Sequence, residues 1–338
     1  WEILDEWRNA AEECGIQKID EFNKGDNSGN SYFQMNQLKG SRWSATKAYL
    51  NPISKRKNLT VLTKAHVKKI KFDKINGTIK ATGVIVSISD GPSIFFKALD
   101  EVILAAGAIG SPQILQLSGI GPRNLLDLYN IPIVNDLKGV GENLHDHLQI
   151  RSVYKVENTV TLNQRIKTLH GKIMMGLEYL IFKTGPLTMP PSQLGAFAKS
   201  DPFQKSANME WHVQPLSLDK FGDPLHPFNA ITPAVCNLRP TSRGHVKIRS
   251  SDFKTHPSIT LNYLSTPEDE KVAILGLKFT RKIMAANSLK KFNPKEILPG
   301  VNIIEDKDLL NAARNLGTTI FHPVGTCKMG NDKLSVVN

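Results

Sequence analysis

The hydrophobic pattern of the chain predicts three long helices. Apolar residues recur at helical spacing over residues 1–14, which Gly15 ends, and again over residues 163–185. The apolar positions are Leu4, Trp7, Ala11 and Cys14 in the first helix, and Ile166, Leu169, Ile173, Leu177 and Leu180 in the second. Thr266 followed by Pro267 predicts the start of a third helix that runs to about Asn287.

Segments rich in strand-forming residues fall into two groups. The first comprises residues 59–63, 65–72, 83–89 and 94–97, with Asn76-Gly77 as a hairpin turn, and a buried strand over the apolar run at 102–106. The second comprises residues 208–214, 229–238, 245–249 and 258–261, and it predicts an antiparallel sheet.

The composition indicates an ordinary globular protein. The chain has 338 residues, 40% of them hydrophobic and 22% charged, which is long enough for two domains. The three cysteines, Cys14, Cys236 and Cys327, form no Cys-x-x-Cys pair. We therefore expect neither a disulfide framework nor a structural zinc site, and a cytoplasmic location. No apolar run approaches the ~20 residues that cross a bilayer.

The net charge of +12 does not indicate a nucleic-acid partner. Nucleic-acid-binding proteins combine basic residues with base-stacking aromatics or a recognisable binding fold, and aromatics make up only 7% of this chain. A solvated lysine-rich surface is the favoured interpretation. Attraction to an anionic cofactor stays open, as does peripheral contact with an anionic membrane that carries an electron acceptor.

Two segments carry a specific resemblance. The first is Asp100 to Gly121, DEVILAAGAIGSPQILQLSGIG, in which glycines follow an apolar run and Ser-Pro precedes a helix. The second is Thr318 to Gly330, TTIFHPVGTCKMG. Both closely resemble signatures of the glucose–methanol–choline (GMC) family of flavin-dependent alcohol oxidoreductases. Residues 236–246 and 262–269 resemble the choline-dehydrogenase-like branch, so that the resemblance covers essentially the whole chain.

The resemblance implies a mixed α/β and α+β fold: an incomplete FAD-binding domain joined to a substrate domain built on an antiparallel sheet. We expect residues 1–150 to form part of the FAD domain, residues 151–300 the substrate domain, and residues 301–338 a return to the FAD domain. Family members also have an N-terminal βαβ unit with Gly-x-Gly-x-x-Gly and a C-terminal end beyond the histidine segment. We therefore expect this chain to be a fragment that is inactive alone.

The resemblance also implies the chemistry. Hydride transfer from an alcohol requires a flavin and a base, and histidine suits the second task because its ordinary pKa of ~6.5 leaves it neutral near pH 7. His322 is the predicted base. For FAD, the family pattern implies main-chain contacts at Val67, Ala106 and Gly107, although ordinary sheet packing would explain the same residues.

The sequence allows two interpretations of the strand that contains His212. Alternation places Glu210, His212 and Gln214 on one face of a strand and Trp211 on the other. A solvent-facing polar stripe is the simpler interpretation. The corresponding strand of choline-oxidising relatives suggests instead that His212 lines the alcohol pocket, with Glu210 or Trp211 meeting a cationic or apolar part of the substrate.

His145 and His147 suggest a metal site, but two histidines without further clustered ligands are a weak signal. The resemblance implies instead that the run from Asn143 to His147 is structural and lies near the flavin, and we predict no metal. The predicted function is FAD-dependent oxidation of a primary alcohol, choline or a related compound, to the aldehyde, with a quinone or another molecule as electron acceptor. The alternatives are a flavin-less binding paralogue and an oxidase that uses oxygen.

Overall fold

The computed structural model describes residues 1–220 and 222–338. These residues contain eight α-helices, three short π or 3₁₀ helices and seventeen strands. The α-helices are α1 Glu2–Glu13, α2 Asn51–Ile53, α3 Gly107–Leu117, α4 Arg123–Leu128, α5 Leu162–Arg165, α6 Leu169–Phe182, α7 Pro267–Met284 and α8 Asp306–Leu316. The strands are β1 Gly29–Tyr32, β2 Gln37–Leu38, β3 Ser41–Arg42, β4 Ala65–Ile75, β5 Thr78–Ile88, β6 Ser93–Lys97, β7 Ile120–Gly121, β8 Asn135–Asp136, β9 Leu148–Arg151, β10 Val153–Lys155, β11 Leu194–Ala198, β12 Met209–Gln214, β13 Ala230–Asn237, β14 His245–Lys247, β15 Ser258–Thr260, β16 Lys295–Leu298 and β17 Gly317–Thr319.

These elements form two compact units. The first contains Trp1–Lys55, His147–Pro240 and Thr266–Ile320, and the second contains Arg56–Asp146, Thr241–Ser265 and Phe321–Asn338. Residues 1–55 thus belong with the large sheet, and the three domain ranges stay a prediction. The reason for this placement of residues 1–55 is the apolar face of α1, which is fully buried within the first unit.

The first unit is built on an eight-stranded antiparallel sheet. Strands β1, β11, β12 and β13 lie side by side in that order, and β13 then pairs with both β9 and β10. Helix α7 packs on one face, where the Trp211 indole nitrogen donates to the Thr280 hydroxyl at 2.8 Å. The side chain of Thr266 caps this helix by accepting a hydrogen bond from the Asp269 N–H, as the sequence predicts.

The second unit is built on the antiparallel meander β4–β5–β6 and helix α3. The predicted hairpin turn is confirmed, since Asn76 and Gly77 both have positive φ, 51° and 83°. Buried Gln116 on α3 donates to the carbonyls of Val140 and Val246, and it accepts from the Ile248 N–H. A single side chain thus joins the helix to β14 and to the loop before β9.

Two predicted strands are wrong. Residues 59–63 form an exposed loop, and residues 102–106 pair with no strand among those described, so that Ile103 is 80% exposed. An apolar run becomes a strand only where a neighbouring strand satisfies its backbone groups.

The helix predicted over residues 163–185 is divided into α5 and α6. The break falls at Thr168, whose hydroxyl accepts a hydrogen bond from the Gly171 N–H and so starts a second helix. The apolar residues of this helix recur at helical spacing, yet α6 has no buried residue. Among the described residues, no helix is both long and apolar enough to cross a bilayer.

Candidate active site

Within the second unit, the buried carboxylate of Asp146 holds the segment that carries His322 in place through a hydrogen bond. Oδ1 of Asp146 accepts a hydrogen bond from the backbone N–H of His322 at 2.9 Å, and the Tyr263 hydroxyl donates to Oδ2. Asp146 is only 3% exposed. The preceding residue, Phe321, has a φ of 64°, which costs a bulky side chain roughly 1–2 kcal/mol. The Asp146 contact with the next residue therefore helps to offset the unfavourable backbone conformation of Phe321.

The residues after His322 pair with the loop before β9. His145 and Val324 exchange two backbone hydrogen bonds, and the Asn143 side chain donates to the Gly325 carbonyl at 3.1 Å. Gly325 has a φ of 98°, and a Cβ there would lie 2.3 Å from the Asn143 carbonyl oxygen. Only glycine permits this close approach. The His-Asp-His motif is thus part of the support for His322.

The two signature segments meet at Thr326. Pro112 lies inside α3 and has no N–H, so the carbonyl of Ala108 lacks its helical partner. The buried hydroxyl of Thr326 donates to that carbonyl at 2.6 Å. The histidine segment is therefore joined to the first turn of α3 by a direct hydrogen bond.

The start of α3 leaves its backbone open to a ligand. Gly107 has a φ of 75°, and a Cβ built there meets no heavy atom within 4 Å. Ala106 and Gly107 are both exposed. The open space beside this turn would let a dinucleotide approach the main-chain atoms closely. Val67 lies in β4, half-buried, beside a register shift between Val67 and Lys69.

The first unit carries a cluster of polar side chains on one face of its sheet. Three adjacent strands contribute the side chains, which lie on one face because directly paired residues point the same way. These residues are Gln149 and Arg151 on β9, Glu210, His212 and Gln214 on β12, and Thr232 and Cys236 on β13. All but His212 are buried. The solvent-facing interpretation of this strand is therefore wrong.

Glu210 is central to this polar face. Its Oε1 lies 2.9 Å from Nε2 of His212, and the Cys236 thiol donates to its Oε2 at 3.8 Å. Burial lowers the pKa of the Arg151 guanidinium, and one of its nitrogens donates to Gln214. Phe33 packs its ring edge-to-face against the His212 imidazole. A carboxylate, an imidazole and a guanidinium are thus arranged on one face, suited to bind a polar ligand.

The same cluster contains potential metal ligands. One donor atom each from His147, Glu210 and Cys236 lies within 4.8 Å of the others. A nitrogen, oxygen and sulfur set of this kind suits zinc. The expectation that the chain binds no metal stays a prediction.

Trp211 does not reach this face. Its indole is completely buried and tilts against the Phe279 ring on the opposite side of the sheet. The prediction that Trp211 contacts a substrate is therefore not retained. Conversely, the sequence interpretation missed Asp146, Tyr263 and Thr326, which support His322, and Arg151. The alternation of Leu148, Gln149, Ile150 and Arg151 was the available signal for β9.

Known proteins resemble this chain along its whole length. The GMC oxidoreductase N-terminal and C-terminal family models match residues 3–149 and 240–338. An alcohol dehydrogenase [acceptor] of Pseudomonas putida is 35% identical over 97% of this chain and 59% of its own length. An oxygen-dependent choline dehydrogenase of Pectobacterium carotovorum is 37% identical over 89% of this chain and 53% of its own length. The chain thus spans little more than half of these relatives.

Solved structures agree with this result. The crystal structure of pyridoxine 4-oxidase from Mesorbium loti has a TM-score of 0.84 at 25% identity, over 99% of this chain and 61% of that chain. An FAD-dependent oxidoreductase from Chaetomium thermophilum has a TM-score of 0.84 at 24% identity, over 96% of this chain and 62% of that chain, and shows the fold alone. The fold class and the family predicted from the sequence are confirmed. The chain belongs to the GMC oxidoreductases, a family of FAD-dependent flavoproteins.

Proposed function

We propose that the full-length protein oxidises a primary alcohol to the aldehyde, and that His322 removes the hydroxyl proton. The observation that carries the proposal is the support of the His322 segment by Asp146 and by the first turn of α3. A chain that had lost the chemistry would not need this support. The matches to an alcohol dehydrogenase and to choline dehydrogenases favour the same reaction.

Bound FAD would supply the hydride acceptor for this reaction. The exposed backbone at Ala106 and Gly107 is a candidate for holding it, as is the main chain at Val67. His322 would take the proton at a ring nitrogen, while Asp146 keeps its backbone in position. The carboxylate of Asp146 reaches the main chain of His322, so its contribution is one of positioning.

Choline or a related alcohol is the proposed substrate class. The buried carboxylate of Glu210 would favour a cationic or hydrogen-bonding group, and His212 would orient it. A quinone or oxygen is the proposed electron acceptor.

The test uses the full-length protein with flavin bound. We expect His322→Ala to keep its flavin absorbance and to lose about 10²–10⁴-fold in turnover, the usual effect of removing a general base. The control is His256→Ala, because His256 is an exposed histidine of the same unit. Turnover of His322→Ala equal to that of the control would refute the role of His322. A protein without flavin would support a binding paralogue instead.

A substrate panel tests the substrate class. It would compare choline, aliphatic alcohols and aryl alcohols with an artificial electron acceptor. We expect Glu210→Gln to raise KM for choline more than for a neutral alcohol of similar size. An equal change for both would contradict the role of Glu210 while leaving alcohol oxidation intact.

A further inference from the structure

Helix α6 exposes an apolar face. The face consists of six residues at helical spacing, and each of them is more than 40% exposed. They are Leu169, Ile173, Met174, Leu177, Leu180 and Ile181. Leu169 is the most exposed at 74%. Surface helices of globular proteins turn such a face toward the core.

The opposite side of α6 is the side that packs. Met175, Glu178 and Tyr179 are half-buried there, and Oε2 of Glu178 lies 3.6 Å from a guanidinium nitrogen of Arg165. The helix therefore packs through a side of mixed polarity and turns its most apolar side outward, the reverse of the usual orientation. An exposed face of this size indicates an interaction surface.

Basic residues surround the apolar face. Residues 163–190 contain four basic residues, Arg165, Lys167, Lys172 and Lys183, against a single acid, Glu178. The three lysines are exposed. Lysine is depleted at protein–protein interfaces, whereas an apolar helix face flanked by lysines is typical of helices that lie in an anionic membrane surface. The long lysine side chains can reach the lipid head groups while the apolar face enters the lipid.

The length of α6 suits an in-plane orientation. Its 14 residues extend about 21 Å, less than the ~30 Å of a bilayer core. Leu187 and Val160, which are 51% and 52% exposed, add apolar surface on the flanking segments.

We propose that α6 is a membrane-surface helix, which attaches the protein peripherally to bilayers that contain anionic phospholipids. The net charge of +12 acts in the same direction by attracting the protein to such a surface. The inference goes beyond the proposed function and does not depend on it. If both are correct, a quinone acceptor would be available in the same bilayer.

The test is vesicle flotation of the full-length protein. One set of vesicles contains phosphatidylcholine alone, and the other an equimolar mixture of phosphatidylcholine and phosphatidylglycerol. We expect binding to the mixed vesicles only, and a loss of binding at high salt. The double variant Ile173→Glu, Leu177→Glu should weaken binding by roughly tenfold or more, since it places charge on the inserted face. Lys167→Gln, Lys172→Gln, Lys183→Gln should weaken it specifically for the mixed vesicles.

The control variant is Phe203→Gln, because Phe203 is a 93% exposed apolar residue of the same unit outside α6. It should bind vesicles as the wild type does. The proposal is overturned if the wild type binds neither vesicle, or if the Ile173→Glu, Leu177→Glu variant binds as well as the control. It is also overturned if that variant only converts a dimer to a monomer, because a second copy then covers the face. Alcohol oxidation with a soluble acceptor is measured separately, so failure here leaves the proposed function untouched.

Discussion

Asp146 and His322 are separated by 175 residues in the sequence, yet Oδ1 of Asp146 lies 2.9 Å from the backbone nitrogen of His322. The other oxygen of this carboxylate accepts from the Tyr263 hydroxyl. The His322 N–H and the Tyr263 hydroxyl thus both donate to this carboxylate, and together they hold it in its buried position. The carboxylate within the His-Asp-His motif therefore supports the segment that carries the candidate base.

The first prediction concerns this support. Asp146→Ala should remove the acceptor for two donors and so misplace His322. We expect turnover of the full-length enzyme to fall roughly 10–100-fold, with a smaller change in KM. Tyr263→Phe removes only one of the two hydrogen bonds and should have a milder effect. Asp100→Ala, an exposed carboxylate of the same unit, is the control. Wild-type turnover in Asp146→Ala would show that this contact does not position His322.

The second prediction concerns the link between the two signature segments. Thr326→Val should leave the Ala108 carbonyl without a partner and cost about 1–3 kcal/mol in the free energy of unfolding, whereas Thr326→Ser should stay near wild type. Pro112→Ala restores an N–H that can reach Ala108 within the helix. In the Pro112→Ala background, Thr326→Val should therefore lower the free energy of unfolding by less than it does in the wild type. Equal costs in both backgrounds, measured by denaturant unfolding, would argue against this explanation.

The third prediction separates stability from substrate selectivity. Trp211→Ala should destabilise the protein by about 3–5 kcal/mol, since its buried ring fills the space between sheet and α7. Trp43→Ala serves as the control, because Trp43 is 39% exposed. Thermal unfolding and a substrate panel on the surviving folded protein measure the two effects. A change in choline preference without a loss of stability would restore Trp211 as a pocket residue.

The fourth prediction concerns pH. Hydrogen bonds from the Ser288 hydroxyl and from the backbone N–H groups of Asn287 and Ser288 lower the pKa of Glu13. The folded protein therefore holds this carboxylate ionised more strongly than the unfolded chain does. The resulting stabilisation is complete above the unfolded pKa, and it is lost as pH falls through the lower folded pKa.

Glu13→Gln tests this dependence. The difference in unfolding free energy between wild type and variant should be constant at neutral pH and should shrink as the solution becomes more acidic than the ordinary pKa of glutamate. Glu101→Gln is the control, because Glu101 is exposed and makes no hydrogen bond among those described. A difference that stays constant down to acid pH would contradict the pKa shift.

The local sequence determined the elements whose signals are short-range. Asn76-Gly77 makes a tight hairpin because both residues tolerate positive φ, and Thr266 caps α7 through a neighbouring N–H. The two signature segments were also sufficient to predict the family, since their motifs lie in a continuous stretch of chain.

Only the tertiary structure decided which surfaces are buried and which partners meet. Residues 102–106 and α6 have apolar patterns that predict burial, yet both lie largely exposed. Strand β12 has a polar pattern that predicts a solvent face, yet Glu210 is buried beside His212 and Cys236. The reason is physical: periodicity determines which side chains share a face, whereas burial depends on what lies against that face. Contacts such as Asp146 to His322 join distant parts of the chain, and no local pattern encodes them.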